Sequence, residues 1–204
     1  MKFIFASKSP RRKKMLSRFD LDVVFRNHCF DEKSVDKSIS PSKYCALIAE
    51  GKSSSLLADI NPHPILSADT IVTLEGEILG KPSDFNDAFN MLTILSGKTH
   101  SVLTAVNILY PDNNINLTFT ERTHVTFNEI SSSLISYYIE KYQPFDKSGS
   151  YGIQGFSSIF VNKINGCYFN VVGLPLSSLL YKLKKLNLID FPLKTLNKNN
   201  NLLS

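Results

Sequence analysis

Two long segments with strand character, joined by a turn, constrain the fold of this sequence more than any other feature. They cover residues 101–110 and 115–127, and the Pro-Asp-Asn-Asn segment between them is a strong hairpin signal. Helical patterns occur on both sides of this hairpin. The sequence therefore predicts an α/β fold with a mixed, largely antiparallel long sheet, flanking helices and two lobes around a cleft.

Helices and strands alternate along the rest of the chain. Residues 2–7 predict a first strand, and Ser9 and Pro10 provide the N-cap and first residue of a short helix. Residues 22–30 predict a second strand. Further helices are expected at residues 41–57, 85–95, 131–142 and from 174 onward.

A second turn signal lies near the C-terminal end of the chain. The pair Asn165-Gly166 is favoured in tight two-residue turns. It predicts a hairpin between strands at residues 159–164 and 167–172.

Length and composition indicate an ordinary globular protein. The chain has 204 residues, enough for one sizeable core or for two small lobes that share a cleft. Hydrophobic residues make up 43% and charged residues 20%, which excludes the disordered class. We expect one domain over residues 1–186 and a frayed, Asn/Lys-rich tail over residues 187–204.

The net charge of +5 is modest, but the positive charge is concentrated at the two ends. The first eighteen residues contain seven lysines and arginines and no acid. A basic segment of this kind is compatible with nucleic acid, a membrane surface or a phosphorylated small molecule.

Cysteine usage and hydropathy bear on the cellular compartment. The three cysteines are far apart and form no CxxC pair, so neither a zinc site nor a disulfide framework is indicated. The apolar run near the N-terminus is too short for a signal peptide, and no segment is long enough to span a membrane. We expect a cytoplasmic protein.

The segment from Ser67 to Pro82 carries an acid, a hydroxyl and a lysine on paired extended segments, namely Asp69, Thr70 and Lys81. A carboxylate on a buried strand suits metal binding or water activation. The alternative is that Asp69 only caps a turn.

Several common catalytic motifs are excluded. Two segments ending in Gly-Lys-Ser/Thr resemble the end of a P-loop, but each lacks the earlier glycine. No GxSxG motif occurs, and the four histidines lack metal-ligand spacing. The glycines at 149–155 do not follow the dinucleotide-binding pattern.

The remaining polar residues form a coherent set for binding a metal-bound phosphate chain. Carboxylates together with phosphate and no imidazole favour Mg²⁺ or Mn²⁺, because hard cations prefer oxygen ligands. The metal-ligand candidates are Asp69 and Glu32. The phosphate-binding candidates are Ser7, Ser9, Arg11, Arg12, Lys52 and Lys81.

Six motifs in order resemble those of the Maf proteins over roughly residues 2–180. They are Ala-Ser-Lys-Ser-Pro-Arg-Arg from Ala6, Ser-Ala-Asp-Thr-Ile-Val from Ser67, Gly-Lys-Pro from Gly80, Leu-Ser-Gly-Lys-Thr-His from Leu95, Asp-Lys-Ser-Gly-Ser-Tyr-Gly-Ile-Gln-Gly from Asp146, and Asn-Val-Val-Gly-Leu-Pro from Asn170. The resemblance implies a nucleoside triphosphate pyrophosphatase, related in fold to inosine triphosphate pyrophosphatases, that cleaves between the α and β phosphates. The Gly-Ile-Gln-Gly form of the late loop is similar to the dTTP/UTP branch.

The resemblance also implies roles for individual residues. Asp69 corresponds to the proton acceptor, and Arg11, Thr70 and Gln154 correspond to substrate-specificity positions. Pocket residues around phosphate and metal are implied at Ser7, Arg12, Glu32, Lys52 and Lys81. A homodimer, removal of modified nucleotides and a role in cell-division arrest are further properties of the family.

Some of these residues have simpler alternatives. The Gln154 amide can donate to O4 and accept from N3–H of thymine or uracil, or it can brace the glycine loop. Glu32 can equally be an exposed acid in an Asp-Glu-Lys run. Lys52 is the least secure position, because the corresponding helix of the Maf family usually lacks the glycine that precedes it here.

Two functional alternatives come from different classes. A non-enzymatic cell-division regulator or nucleic-acid-binding protein would use the basic ends, although both lack the interleaved aromatic residues expected of a single-strand binder. A pyrophosphatase for modified purine triphosphates would share the phosphate chemistry. We expect a nucleoside triphosphate substrate, with no stable nucleic-acid partner and no membrane partner.

Overall fold

A mixed sheet forms the centre of the molecule in a computed structural model that describes residues 1–57 and 63–190. The strands of this part are β1 (Lys2–Ala6), β2 (Asp22–Arg26), β3 (Ile65–Leu74), β4 (Glu77–Leu79), β5 (Thr99–Tyr110), β6 (Ile115–Phe127) and β7 (Val161–Asn165). The α-helices are α1 (Pro10–Leu16), α2 (Pro41–Ser54), α3 (Phe85–Leu95), α4 (Ser132–Tyr142), α5 (Tyr168–Val172) and α6 (Leu176–Lys185).

The sheet has the strand order β2-β1-β3-β5-β6-β7, and β4 pairs with β3. β1 runs parallel to both β2 and β3, and the other strand pairs are antiparallel. The predicted fold class, a mixed and largely antiparallel sheet with flanking helices, is confirmed.

The predicted long hairpin is the β5–β6 pair, whose register runs from Thr99 opposite Thr126 to Tyr110 opposite Ile115. Asn114 closes the turn in the left-handed region, with φ 53°, which asparagine tolerates better than most residues. The hairpin predicted at residues 101–127 is therefore confirmed.

The core packs on both faces of the sheet. One large cluster joins β1 and β5 to α1 and α6, and includes Phe3, Phe5 and Leu179. Another joins β5 and β6 to α3 and α4, and includes Leu92 and Ile135. α2 packs against β3 and β5 through a third, smaller cluster. This third contact brings the polar end of α2 close to the middle of β3.

The predicted hairpin between strands at residues 159–164 and 167–172 is wrong, although its first half does contain a strand. Val161–Asn165 forms β7 and pairs with β6, but Tyr168–Val172 is a short helix. Asn170 explains the difference, because it is fully buried and its amide donates to the Val102 carbonyl and the Thr123 hydroxyl. A helical turn allows the buried Asn170 amide to make these bonds to two distant strands. The local Asn-Gly turn signal could not reveal them.

The glycine that made Lys52 insecure has a packing reason. A Cβ built on Gly51 would lie 2.4 Å from the ring of Phe30, so no larger residue fits there without moving that ring. Glycine is a weak helix former but permits this close contact, and α2 continues through Lys52 to Ser54.

The prediction of one domain over residues 1–186 with two lobes stays a prediction. Most of the predicted tail, residues 191–204, lies outside the described residues. Within the described part of the chain, no helix is long and apolar enough to cross a membrane.

Candidate functional site

A cleft of about 670 Å³ opens beside the N-terminal end of α1, the middle of β3 and the glycine-containing loop at residues 146–157. Every residue that the sequence analysis proposed for the site lines this cleft. These residues are Ser7, Ser9, Arg11, Arg12, Glu32, Lys52, Asp69, Thr70, Lys81 and Gln154.

Asp69 lies in the middle of β3, opposite Ala105 of β5, and is 8% exposed. The turn-cap alternative for this residue is wrong, because hydrogen-bonded strand continues on both sides of it. One carboxylate oxygen, Oδ1, accepts a hydrogen bond from Lys52 Nζ at 2.7 Å. The carboxylate is therefore held in one orientation at the floor of the cleft.

Lys52 joins the two candidate metal-binding acids. Its ammonium group lies 2.7 Å from Asp69 Oδ1 and 2.9 Å from Glu32 Oε1, and its side chain is only 6% exposed. Glu32 is more open, at 39% of its side chain, so it is not a buried acid but it does point at the site. Removing this lysine would be costly, because the buried Asp69 carboxylate would then lack its counter-ion.

The thiol of Cys45 lies beneath Asp69. Its sulfur is 3.4 Å from the Asp69 main-chain carbonyl oxygen and 3.9 Å from Oδ2 of the carboxylate. Burial raises the pKa of the Cys45 thiol, and the nearby Asp69 charge raises it further. This cysteine is consequently a neutral packing residue that donates weakly to the strand.

Arg12 is a structural bridge as well as a cation of the cleft. Its Nε donates to the Gly173 carbonyl at 2.7 Å, and its Nη2 donates to the Thr70 hydroxyl at 2.9 Å. Nη1 reaches the Ser7 hydroxyl at 3.4 Å. Burial lowers the pKa of Arg12, and the Asp69 charge opposes that change. The guanidinium stays charged, as arginine does in proteins.

Arg11, the adjacent residue, is held very differently. Its Nη1 forms an ion pair with Asp146 Oδ2 at 3.0 Å, with 32% of the Arg11 side chain exposed. Burial raises the pKa of Asp146, but hydrogen bonds from Lys147 and Arg11 outweigh it, so the pKa is lower than usual. The pair links α1 to the glycine-containing loop across the mouth of the cleft.

Thr70 faces away from Asp69, as expected for neighbours on a strand. Its hydroxyl accepts from Arg12 and lies 2.9 Å from the Thr104 hydroxyl on β5. The hydroxyl is thus held in a polar network at the cleft wall, next to the arginine.

Ser7 and Ser9 hold the β1–α1 loop. The Ser7 hydroxyl accepts from the Ser9 main-chain N–H at 3.2 Å, and the Ser9 hydroxyl accepts from the Arg12 N–H as an N-cap. Ser9 confirms the predicted cap, and both hydroxyls serve the loop as well as lining the cleft.

The loop that carries Gln154 is attached at its base. The N–H of Gly149 donates to the Gly80 carbonyl, next to the exposed Lys81, and Ser148 Oγ donates to the Thr70 carbonyl. Gly149 has φ 67°, and a Cβ there would lie 3.0 Å from Val72, so this position needs glycine.

Gln154 itself is exposed at the tip of this loop. In the part of the chain that the structure describes, the Gln154 side chain makes no hydrogen bond. The bracing alternative therefore gains no support, and the amide is available to a ligand in the cleft.

His28 lines the cleft although the sequence analysis gave it no role. Its Nε2 lies 3.9 Å from Glu32 Oε1, and its side chain is 14% exposed. Burial lowers the pKa of His28, and the charge of Lys52 lowers it further, so the imidazole is neutral at pH 7. The only sequence signal for this contact was the spacing of four residues between His28 and Glu32. That signal predicts a contact on an α-helix, and this segment is not one.

The cleft has an excess of positive charge. Six lysines and arginines line it against three carboxylates, which favours a polyanionic ligand. The cations are Lys8, Arg11, Arg12, Lys52, Lys81 and Lys147. The carboxylates are Glu32, Asp69 and Asp146.

The donor set bears on whether a divalent metal ion fits. Within residues 1–57 and 63–190, no three histidine, cysteine or acidic side chains are grouped as a metal site. Two carboxylates do face each other across Lys52. Mg²⁺ is usually held by one or two protein carboxylates together with substrate phosphates and water, so this pair fits an ion that arrives with a phosphate chain.

Comparison with known proteins places the chain in a family. The model of the family described as Maf-like protein matches residues 2–186. The chain belongs to the Maf family. Three relatives align with this chain over nearly the full length of both sequences, and each is named dTTP/UTP pyrophosphatase. They are from Thermosipho africanus (45% identity, 97% of this chain and 100% of that one), Clostridium beijerinckii (44%, 91% and 100%) and Bacillus cereus (46%, 92% and 91%).

Solved structures of two other proteins are similar at low identity. One is the Staphylococcus aureus Ham1 protein, with TM-score 0.45, 13% identity and coverage of 63% of this chain and 73% of that one. The other is a nucleoside-triphosphatase, dITP/XTP pyrophosphatase, from Mycobacterium abscessus, with TM-score 0.47, 15% identity and coverage of 94% and 100%. Both scores are below 0.5, so the family assignment rests on the sequence matches.

Proposed function

We propose that this protein hydrolyses nucleoside triphosphates, with dTTP and UTP as its substrates, to nucleoside monophosphate and diphosphate. The observation that carries the proposal is the oriented Asp69 carboxylate at the floor of a cationic cleft. Maf relatives about 45% identical to this chain are named for that activity.

Asp69 acts as the proton acceptor. Lys52 occupies Oδ1, whereas the contact to Oδ2 found among the described residues is the weak one from Cys45 at 3.9 Å. Oδ2 can therefore take a proton from a water molecule as that water attacks the α-phosphorus. The bond to the bridging oxygen breaks, and diphosphate leaves with the electron pair.

A divalent cation, Mg²⁺ or Mn²⁺, would be held by Asp69 and Glu32 together with phosphate oxygens of the substrate. When bound, it would supply charge neutralisation at the phosphate chain and lower the pKa of a coordinated water. The lysine between the two acids keeps them positioned before substrate binds.

The cations around the cleft stabilise the charge on the leaving diphosphate. Arg12 is fixed by its bonds to Gly173 and Thr70, and the exposed Lys81 lines the same cleft. Fixed donors stabilise developing charge better than mobile ones, because they need no reorganisation during the reaction.

Base selection falls to the glycine-containing loop. The exposed Gln154 amide has one donor and one acceptor group, which matches O4 and N3–H of uracil and thymine. Arg11 and Thr70, the other implied specificity residues, line the same cleft.

The decisive experiment is a panel of triphosphates with Mg²⁺ or Mn²⁺, scored for diphosphate release. We expect dTTP and UTP to be the best substrates and EDTA to stop the reaction. Preference for deaminated or modified purine triphosphates would favour the purine alternative. Salt-dependent DNA binding without diphosphate release would favour the regulatory alternative.

Some expected properties stay predictions for this chain. They are a homodimer, a cytoplasmic location, the absence of a nucleic-acid partner, removal of modified nucleotides and a part in cell-division arrest. None is needed for the chemistry proposed above.

A further inference from the structure

Two aromatic rings lie at the edge of the cleft beside the exposed Gln154. Tyr142 is the last residue of α4, and Phe156 follows Gln154 by two positions. Their ring centroids are 5.0 Å apart and their planes differ by 19°, so the rings are stacked in an offset, nearly parallel arrangement. Both residues line the same cleft as Gln154.

The two rings are supported from behind. Tyr138 stacks on Phe156 at 6.2 Å and 15°, and on Tyr142 at 5.7 Å and 28°. Tyr138 is 3% exposed and contacts the buried Phe160 edge to face at 5.2 Å. The platform formed by Tyr142 and Phe156 is therefore held on a rigid base.

Tyr142 nevertheless remains open to solvent. It is 42% exposed, and α4 ends there because Gln143 adopts a left-handed conformation with φ 43°. Lys141 Nζ lies 5.8 Å from the Tyr142 ring centroid, and this exposed lysine can move aside so that a further planar group stacks on the ring.

The geometry of this platform differs from that of the buried aromatic residues nearby. His100, Phe127 and Tyr151 pack edge to face, with interplanar angles of 76° to 84°. The nearly parallel rings of Tyr142 and Phe156 therefore differ from this neighbouring edge-to-face group.

We propose that Tyr142 and Phe156 form a stacking platform for the pyrimidine base of the nucleotide. The base extends the stack while Gln154 reads its edge, and the triphosphate reaches the cations around Asp69. The inference rests on the proposed function for the identity of the ligand. Stacking alone accepts any base, because every base has a flat π face, so the platform supplies affinity and Gln154 supplies selectivity.

The first test replaces the ring but keeps apolar bulk. Tyr142→Leu should raise KM for UTP about tenfold while kcat stays unchanged, the loss expected when one stacked base contact is removed. Inhibition by inorganic tripolyphosphate, which has no base, should be the same as for the unchanged protein. Thermal melting checks that the variant is folded.

Tyr181→Ala is the matched control for the first test. Tyr181 is also an exposed helical tyrosine, at 52%, with a lysine ammonium over its ring, but it does not line the cleft. Its KM for UTP should not change. The inference is overturned if Tyr142→Leu leaves KM unchanged, or if it weakens tripolyphosphate inhibition as much as it weakens UTP.

A second test does not require turnover. The chain contains no tryptophan, so Tyr142→Trp introduces a single indole at the platform. In EDTA, UTP and UMP should quench its fluorescence and tripolyphosphate should not. Absence of quenching by both nucleotides would overturn the platform.

The two proposals can fail separately. If the unchanged protein releases no diphosphate from any triphosphate, the proposed hydrolysis fails, and quenching of the Tyr142→Trp fluorescence by UMP still supports a nucleotide platform. If hydrolysis is observed but neither KM nor fluorescence responds, the platform fails and the hydrolysis stands.

Discussion

The two ends of the cleft are built in opposite ways. At the inner end, Lys52 is almost completely buried and already bonded to both Asp69 and Glu32. At the outer end, Gln154 and Tyr142 are exposed, and Arg11 reaches Asp146 through an ion pair that is open to water. The inner end is rigid before any ligand binds, whereas the outer end has contacts that a ligand can replace.

This difference corresponds to the division of labour in the proposed reaction. Proton transfer and charge stabilisation require groups fixed in advance, which strands and buried ion pairs provide. Base recognition requires groups that still have unused bonding capacity, which a loop provides. Substitutions at the inner end should therefore alter both stability and turnover, and those at the outer end mainly binding.

The largest effect is expected from Asp69→Asn. The amide cannot accept the proton from water, so kcat should fall about 10³-fold, the scale of a lost general base. Thermal melting should show a folded protein, because Lys52 keeps Glu32 as a partner. Asp112→Asn, in the exposed β5–β6 turn, is the control and should retain full activity. Near-normal turnover by Asp69→Asn would remove that residue from the chemistry.

Lys52→Met should come next and should affect stability as well as activity. It leaves the buried Asp69 carboxylate without its cation, which costs about 3 kcal/mol in the free energy of unfolding. Urea unfolding at pH 7 measures the change, with Lys43→Met on the exposed side of the same helix as the control.

Adding Glu32→Gln to Lys52→Met should restore part of the lost stability, because one of the two facing charges is removed. A Lys52→Met protein as stable as the unchanged one would show that the inner end is not organised by its ion pairs.

Tyr151 of the glycine-containing loop contacts a buried histidine of β5, and the stability that this histidine provides depends on pH. His100 is 2% exposed and its Nε2 lies 2.7 Å from the Tyr151 hydroxyl, and burial lowers the pKa of His100 to about 4. Because the unfolded chain takes up the proton near pH 6.5, the stability from this residue is complete above that pH and decreases as the pH falls toward 4. At pH 5 the loss should be about 2 kcal/mol relative to pH 7.5.

Urea unfolding of His100→Gln tests this pH dependence. The variant should lose less stability between pH 7.5 and pH 5 than the unchanged protein, whereas His124→Gln, at an exposed position, should not differ from it. Identical slopes for all three proteins would mean that His100 is not buried in its neutral form.

The smallest effects separate two adjacent arginines. Arg12→Lys cannot keep the bonds to both Gly173 and Thr70, so it should cost about 1–2 kcal/mol in the free energy of unfolding. Arg11→Lys keeps a cation near the exposed Asp146 and should cost less than about 0.5 kcal/mol. If both variants lose the same free energy of unfolding in the denaturant titration, Arg12 is held no more firmly than Arg11. The boundary between the inner and outer ends of the cleft would then not lie between these two residues.

Local signals in the sequence were sufficient for much of the fold. The turn at residues 111–114 and the N-cap at Ser9 were predicted correctly, because a turn or a cap is decided by a few adjacent residues. The helix at residues 168–172 was missed, because the buried bonds of Asn170 to β5 and β6 override the local turn signal.

The sequence by itself determined the chemical character of the site, because the acids, cations and amide proposed from it all line one cleft. Tertiary structure alone decided how each side chain is held. Arg11 and Arg12 are adjacent in the sequence, yet Arg11 pairs with the exposed Asp146 and Arg12 is bonded to Gly173 and Thr70. Neither the approach of Phe30 to Gly51 nor the stacking of Tyr142 on Phe156 leaves a local pattern. The physical reason is that burial and partnership depend on residues far apart in the chain, whereas side-chain chemistry is a property of each residue alone.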